Sequence, residues 1–300
     1  KSIHNFEKGE EELFLSGKGP DHYHRYEEDF DIAKGMYNNA HRLSLEWSRI
    51  EPHEGIFDQQ EIEHYRKVLL ALRTRGMKSM VTLHHFTNPS WFARKGGWGK
   101  RKNVKYFLRY VERVVHEYAD LVDFWITVNE PNVYVQMGYL GGWGAQHWPP
   151  EEKSIVKTVK VFLNMARAHR KVYRLIHEVC SRQKKPMVGI AQSFASYATT
   201  HKHNLYDLFI VFLVDNIANH SFFYLTKGAH DFIGLNYYFR VRFFRKRWTL
   251  IPRVVDVSEQ GRDQSDMGAE IYPHGIYSVL MDLGNYGVPI YITENGVAEH

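Results

Sequence analysis

The stretch FWITVNEPN, residues 124–132, is aromatic or β-branched for five positions and then ends in Asn, Glu and Pro. Such a run reads as a buried strand, because these side chains suit a pleated surface and proline cannot extend a hydrogen-bonded ladder. Glu130 therefore stands just past a strand end. The pattern returns in VPIYITENG, residues 288–296, which closes on Glu294 and Asn295. One acid at a strand–helix junction is commonly a partner for the helix dipole. Two, each inside a dense polar motif, need another explanation. If the strands are parallel, both carboxylates lie on one rim. Paired rim acids suit glycosidic cleavage, where one protonates the leaving oxygen and the other attacks, or activates water at, the anomeric carbon.

Outward from these motifs, short β-branched runs alternate with longer amphipathic stretches, the mark of βα units. Strands are expected at Asn39–Leu45, Lys78–His84, Phe124–Val128, Pro186–Gln192, Asp231–Tyr238 and Pro289–Thr293, six in all. Helices are expected at Tyr23–Lys34, from Asp58 to a stop at Gly76, over Asn103–Ala119, over Ser154–Cys180 as one helix or two, over Leu205–Leu225 and over Pro273–Leu283. The irregular stretches Trp91–Lys102, Gly138–Glu152 and Phe239–Ala269 all follow strands, where a barrel of this class builds its site. A doubly wound open sheet is the alternative, but no G-x-G-x-x-G follows a strand and no Walker sequence is present. The expected fold class is α/β, a (β/α)8 TIM barrel with strands 2 to 7 readable, in one domain over residues 1–300.

Composition bounds the rest. The 300 residues are 44% hydrophobic, enough for a sizeable core, and carry a formal net charge of +5. The basic run Arg245–Trp248 reads as a solvated loop, so no nucleic-acid partner is expected. Because no unbroken apolar run reaches 18 residues, no membrane span is expected. The single cysteine, Cys180, forbids an internal disulfide and suits a reducing, cytoplasmic setting. KSIHNFEKGEE at the start has no signal-peptide core and no initiator Met, so the natural beginning is expected to lie upstream. The pairs His84/His85, His22/His24 and His201/His203 invite a metal reading, but none has H-E-x-x-H spacing or a third ligand nearby in sequence. No metal and no cofactor are expected.

TVNEP at 127–131 and ITENG at 292–296 resemble the acid/base and nucleophile signatures of family 1 glycoside hydrolases, the β-glucosidase and β-galactosidase group. Further stretches match in order: DHYHRYEEDFDIAKGM (21–36), HRLSLEWSRIEP (41–52), TLHHF (82–86), DFIGLNYY (231–238) and EIYPHGIYSVL (270–280). The resemblance implies a retaining β-glycosidase acting on small-molecule or oligosaccharide β-glycosides, with Glu294 as nucleophile and Glu130 as general acid, then base. Carboxyls roughly 5–5.5 Å apart, as retention requires, cannot comfortably both ionise, so one holds the proton. It further assigns Asn129 and His85 to sugar hydroxyls, Tyr238 to a hydrogen bond on the nucleophile, and Arg42 to an ion pair with Glu294; an internal partner such as Glu46 is the alternative for Arg42. Asn236 and Tyr238, two apart, share a strand face, with Tyr237 opposite. Asn129 and Glu130, being neighbours, both reach a pocket only if the strand ends or bulges between them. Trp91, Trp98, Trp143 and Trp148 are rim candidates for stacking on a sugar, or singly for packing.

A family 1 barrel has eight strands, so the resemblance leaves the first and eighth outside this sequence, with segments truncated or supplied elsewhere. A sheet opened there has two bare edges, and an aromatic-lined wedge could admit a flat apolar ligand. Ala269 stands where the family commonly has Trp. The rival reading is a catalytically impaired carbohydrate-binding or scaffold fragment of the same fold.

Overall fold

A computed structural model describes residues 19–142, 148–180, 185–201, 203–244, 253–254, 261–266 and 268–298. The chain divides into two compact units, Lys1–Ile190 and Ala191–His300. The first contains α1 (His22–Gly35), β1 (Ala40–Ser44), α2 (Trp47–Ile50), α3 (Gln59–Thr74), β2 (Lys78–Thr82), α4 (Ser90–Arg94), α5 (Val104–Tyr118), β3 (Phe124–Asn129), α6 (Pro131–Tyr139) and α7 (Ile155–Val179), and ends within β4 (Met187–Thr199). Strands β1, β2 and β3 are parallel, with Arg42 opposite Met80 and Val81 opposite Trp125.

Local sequence explains these elements. Asp58 accepts from the Gln60 and Glu61 amides at 2.8 and 3.2 Å, capping α3, and Gly76 takes φ +66° just beyond its end. Ser154 caps α7, which is one helix of 25 residues. On α5, Phe107, Val111, Val114, Val115 and Tyr118 recur at helical spacing and are all fully buried. That stripe packs against α3 and α7, and so fixes the helical layer behind β2 and β3.

Below the loop after α2 lies a buried acid. Glu51, with no exposed surface, accepts from Trp47 Nε1 at 2.8 Å and the Gly55 amide at 2.7 Å, and is ion-paired with Arg109. Arg109 in turn lies over the rings of Trp91 and Tyr106. One carboxylate thus ties α2, α5 and the loop leading to α3 together.

The second unit holds the rest of β4, α8 (Leu205–Asp215), a wide π turn (Asn216–His220), α9 (Ser221–Leu225), β5 (Phe232–Phe244), β6 (Arg253–Val254), α10 (His274–Leu283) and β7 (Ile290–Asn295). β5 pairs with β7 in parallel and with β6 antiparallel. β4 and β5 run past the sequence expectation: the Thr200 amide still reaches the Phe243 carbonyl at 3.0 Å. One expectation is corrected. Leu205–Leu225 spans 21 residues with mean hydropathy 1.4 in its best 18-residue window, of which 22% is buried, so it is long and apolar enough to cross a membrane by length and composition. Asp207, Asp215 and His220 interrupt the run without lowering its average enough, so the absence of an unbroken run does not exclude a span.

Replacing Glu51 by Ala strands the buried Trp47 N–H and removes the counter-charge of Arg109. Chemical denaturation followed by tryptophan fluorescence is expected to register a loss of about 3 kcal/mol.

Candidate active site

In the first unit β3 ends where the sequence suggested, and by a specific device. Glu130 adopts φ +44°, ψ +61°, the left-handed region, and Pro131 opens α6 immediately after it. For a residue with a Cβ this conformation costs about 1–2 kcal/mol. It breaks the strand alternation, so Asn129 and Glu130 need not point to opposite faces. Asn129 is fully buried and Glu130 is 7% exposed.

Arg42, on β1, donates to Asn129 Oδ1 at 2.6 Å and to Thr82 Oγ1 at 3.3 Å. The Asn129 carbonyl thus faces the guanidinium, and its amide nitrogen lies 3.2 Å from His85 Nε2. That nitrogen then accepts, leaving the proton on Nδ1 to be donated to Ser44 Oγ at 2.9 Å. Arg42, Asn129, His85 and Ser44 so form one directional chain across three adjacent strand ends. Glu46 caps α2 through the Ser48 amide and accepts from Thr87 Oγ1, so it is not the internal partner of Arg42.

His84 and His85 divide as alternation demands. His84 is 2% exposed, donates from Nε2 to Asn88 Oδ1 at 3.1 Å, and packs edge-on against Trp98, Phe107 and Tyr134. Burial pushes its pKa down to about 4, so it is a neutral core imidazole. Phe86, four residues past the end of β2, has φ +66° and is also left-handed.

In the second unit the pairing of β5 and β7 shifts: Leu235 faces Ile292, yet Asn236 faces Glu294, so Thr293 is an extra residue. A one-residue shift exchanges the faces of a strand. Without it Glu294 would sit opposite Tyr237, whose hydroxyl is committed to the Tyr272 carbonyl at 2.7 Å. With it Glu294 joins the face of Asn236 and Tyr238, and Tyr238 donates to Glu294 Oε2 at 2.7 Å. Thr293 Oγ1 bonds Asn236 Oδ1 at 2.6 Å, and Asn295 Nδ2 bonds the Tyr237 carbonyl at 2.6 Å, closing the bulge. The structure therefore gathers Arg42, His85 and Asn129 beside Glu130 in the first unit, and Asn236, Tyr238 and Glu294 in the second.

The other candidates have local duties. Trp91 and Trp98 are buried, their indole N–H groups bonding the Glu51 carbonyl and Asn88. Trp148 packs on Phe86 at 4.6 Å between centroids. Trp143 and the basic run 245–248 lie outside the described residues. His22, His24 and His201 each pair with their own aspartate, Asp29, Asp21 and Asp207.

The sequence profile described as Glycosyl hydrolase family 1 matches residues 9–226 and 213–300. The chain belongs to that family. Among curated family 1 relatives, the β-galactosidase of Pyrococcus woesei is 28% identical over 98% of this chain and 74% of its own length. The chloroplastic galactolipid galactosyltransferase of Arabidopsis thaliana is 31% identical over 91% of this chain and 44% of its own. Among solved structures, a β-glycosidase from Pyrococcus horikoshii superposes with TM-score 0.82 at 34% identity, covering 92% of this chain and 66% of that one. The β-glucosidase of Thermotoga maritima in complex with deoxynojirimycin gives 0.83 at 26%, covering 93% and 68%. The chain thus spans from under half to about three quarters of these relatives. The expected fold class, an α/β TIM barrel, is the fold of the solved family 1 enzymes.

The buried His84 makes an acid-sensitive element. Its folded pKa lies below its unfolded value near 6.5, so the unfolded chain binds the proton first and stability falls as pH drops from about 6.5 to about 4. Urea unfolding of wild type across that window is expected to contain an acid-induced loss of about 3 kcal/mol that is absent from His84→Gln.

Proposed function

We propose that the chain hydrolyses β-linked glucosides or galactosides with retention, by double displacement through a glycosyl ester on Glu294. The observation that carries this reading is the 2.7 Å hydrogen bond from Tyr238 to Glu294 across a bulge that turns the acid onto that face. A phenol aimed at one carboxylate oxygen orients the other for attack on the anomeric carbon. Glu130 protonates the departing glycosidic oxygen. When Glu294 becomes an ester its charge disappears, and Glu130 is then the base that deprotonates the incoming water.

Asn129 and His85 bind sugar hydroxyls in this scheme. Their hydrogen-bond chain from Arg42 supports that role, because it holds both side chains in one orientation before substrate arrives. Asn236 positions Thr293 and so the strand end that bears Glu294. The chemistry needs no cofactor.

Release of nitrophenol from an aryl β-glucoside or β-galactoside is the test. Glu294→Gln is expected to remove turnover by at least about 10³-fold, and Glu130→Gln to reduce it by about 10²–10⁴-fold. Wild-type turnover that survives Glu294→Gln would overturn the assignment, and a folded sample with no turnover on either substrate would favour a carbohydrate-binding scaffold instead.

A further inference from the structure

In the second unit a cluster of ligating side chains stands apart from Tyr238 and Glu294. His220, 5% exposed, points Nε2 at Asp282 Oδ2 (2.7 Å) and Asp215 Oδ2 (3.6 Å). The donor atoms of the three residues all lie within 4.8 Å of one another. They line an open cavity of about 510 Å³, together with Asn216, Tyr224 and Tyr286 among others. We propose that Asp215, His220 and Asp282 form a binding site for a divalent first-row metal ion, best suited to Zn²⁺, that clasps the turn after α8 to the end of α10.

The backbone is arranged for it. Residues five apart on an α-helix lie about 140° apart around the axis, too far to share a ligand. The π turn at Asn216–His220 widens the helix and brings Asp215 and His220 onto one side. The ligands are also held from behind. Tyr286 OH lies 2.8 Å from His220 Nδ1, which leaves Nε2 for the cluster, and Asn219 Nδ2 donates to Asp215 Oδ1 at 2.6 Å, which leaves Oδ2. Such second contacts set the tautomer and direction of metal ligands.

Spacing and charge agree. Bonds of about 2.0–2.1 Å at the tetrahedral angle put donor atoms about 3.3 Å apart. The Asp215 separation is near that value, and Asp282 needs to withdraw by about 0.6 Å; its side chain is 48% exposed and free to do so. Two carboxylates and a neutral imidazole carry two negative charges, which a dication neutralises; a protonated imidazole alone leaves one. Imidazole in the ligand set selects a transition metal over Mg²⁺ or Ca²⁺, and three protein donors leave a position for water. The sequence concealed the site, because Asp282 is 62 residues from His220 and neither belongs to a histidine pair.

Metal-free protein titrated with Co²⁺ is expected to develop visible d–d absorption, which Zn²⁺ then bleaches. Zn²⁺ at about a hundredfold excess over its Kd should raise Tm by about 5 °C. Asp282→Asn, at an exposed position, should weaken Co²⁺ binding at least tenfold and cut the Tm rise by about half or more, while His220→Gln should abolish both. With 18 histidines in the chain, a Co²⁺ signal that Asp282→Asn leaves unchanged would belong elsewhere and overturn the proposal. So would a Tm indifferent to Zn²⁺, which would leave only an ion-paired clasp.

Discussion

A single extra residue, Thr293, decides what Glu294 can touch. β5 and β7 begin in regular parallel register and leave it offset by one, and the hydrogen bonds of Thr293 to Asn236 and of Asn295 to Tyr237 lock the offset in place. The consequence is geometric before it is chemical. Side chains two apart on β5 share a face, so Asn236 and Tyr238 form a ready pair, and only a shifted β7 delivers an acid to them. Tyr237, turned the other way, anchors the strand to the loop before α10. The phenol that orients the acid and the phenol that anchors the strand are thus neighbours with opposite duties.

The first unit solves a similar problem by different means. There the strand does not slip; it stops, in the left-handed conformation of Glu130, with Pro131 preventing any return to the ladder. Phe86, four residues past the end of β2, has the same backbone sign. Two residues with side chains in that region represent about 2–4 kcal/mol of local strain, which persists only where surrounding contacts over-determine it. The chain of bonds from Arg42 to Ser44, and the Asn88 hub that joins His84, Trp98 and Tyr134, are such contacts. Strain at strand ends and rigidity just beneath them belong to one arrangement.

Much of this was legible in the residues. The stripe on α5, the cap at Asp58, the strand end just before Glu130, and the opposite facing of Tyr237 and Tyr238 all follow from periodicity or from proline and cap chemistry, whereas β7 runs two residues past the expected Thr293 and takes Glu294 into the strand. The bulge was not, because Ile290, Tyr291, Ile292 and Thr293 are acceptable on either face of a strand and leave no alternation to slip against. The long ends of β4 and β5 were missed for a related reason: cross-strand pairing sustains them through SFASYAT and FRVRFF, which locally read as loop. Paired histidines drew attention as ligands, yet His22, His24 and His201 each turn to an aspartate, His84 to Asn88, and His85 to Ser44 and Asn129. The cluster at His220 draws on residues no local window holds together.

The two units also differ in how they are held. Most aromatic and aliphatic side chains of α5, β2 and β3 are buried, whereas Leu205, Phe209, Phe212 and Ile217 on and after α8, and Ile292 on β7, are more than half exposed. Where less apolar surface is removed from water, directional contacts carry more of the specification. Glu270, 3% exposed, takes two N–H groups of Arg242 at 2.8 and 3.2 Å and a third bond from Arg262 at 3.3 Å, and Arg240 lies 4.0 Å over the ring of Tyr272. A buried ion pair adds little net stability over an apolar pair of the same shape, but losing one partner is costly. Contacts of that kind tolerate one geometry only, and in this unit they border the start of α10 and the end of β5, which pairs with the strand that presents Glu294.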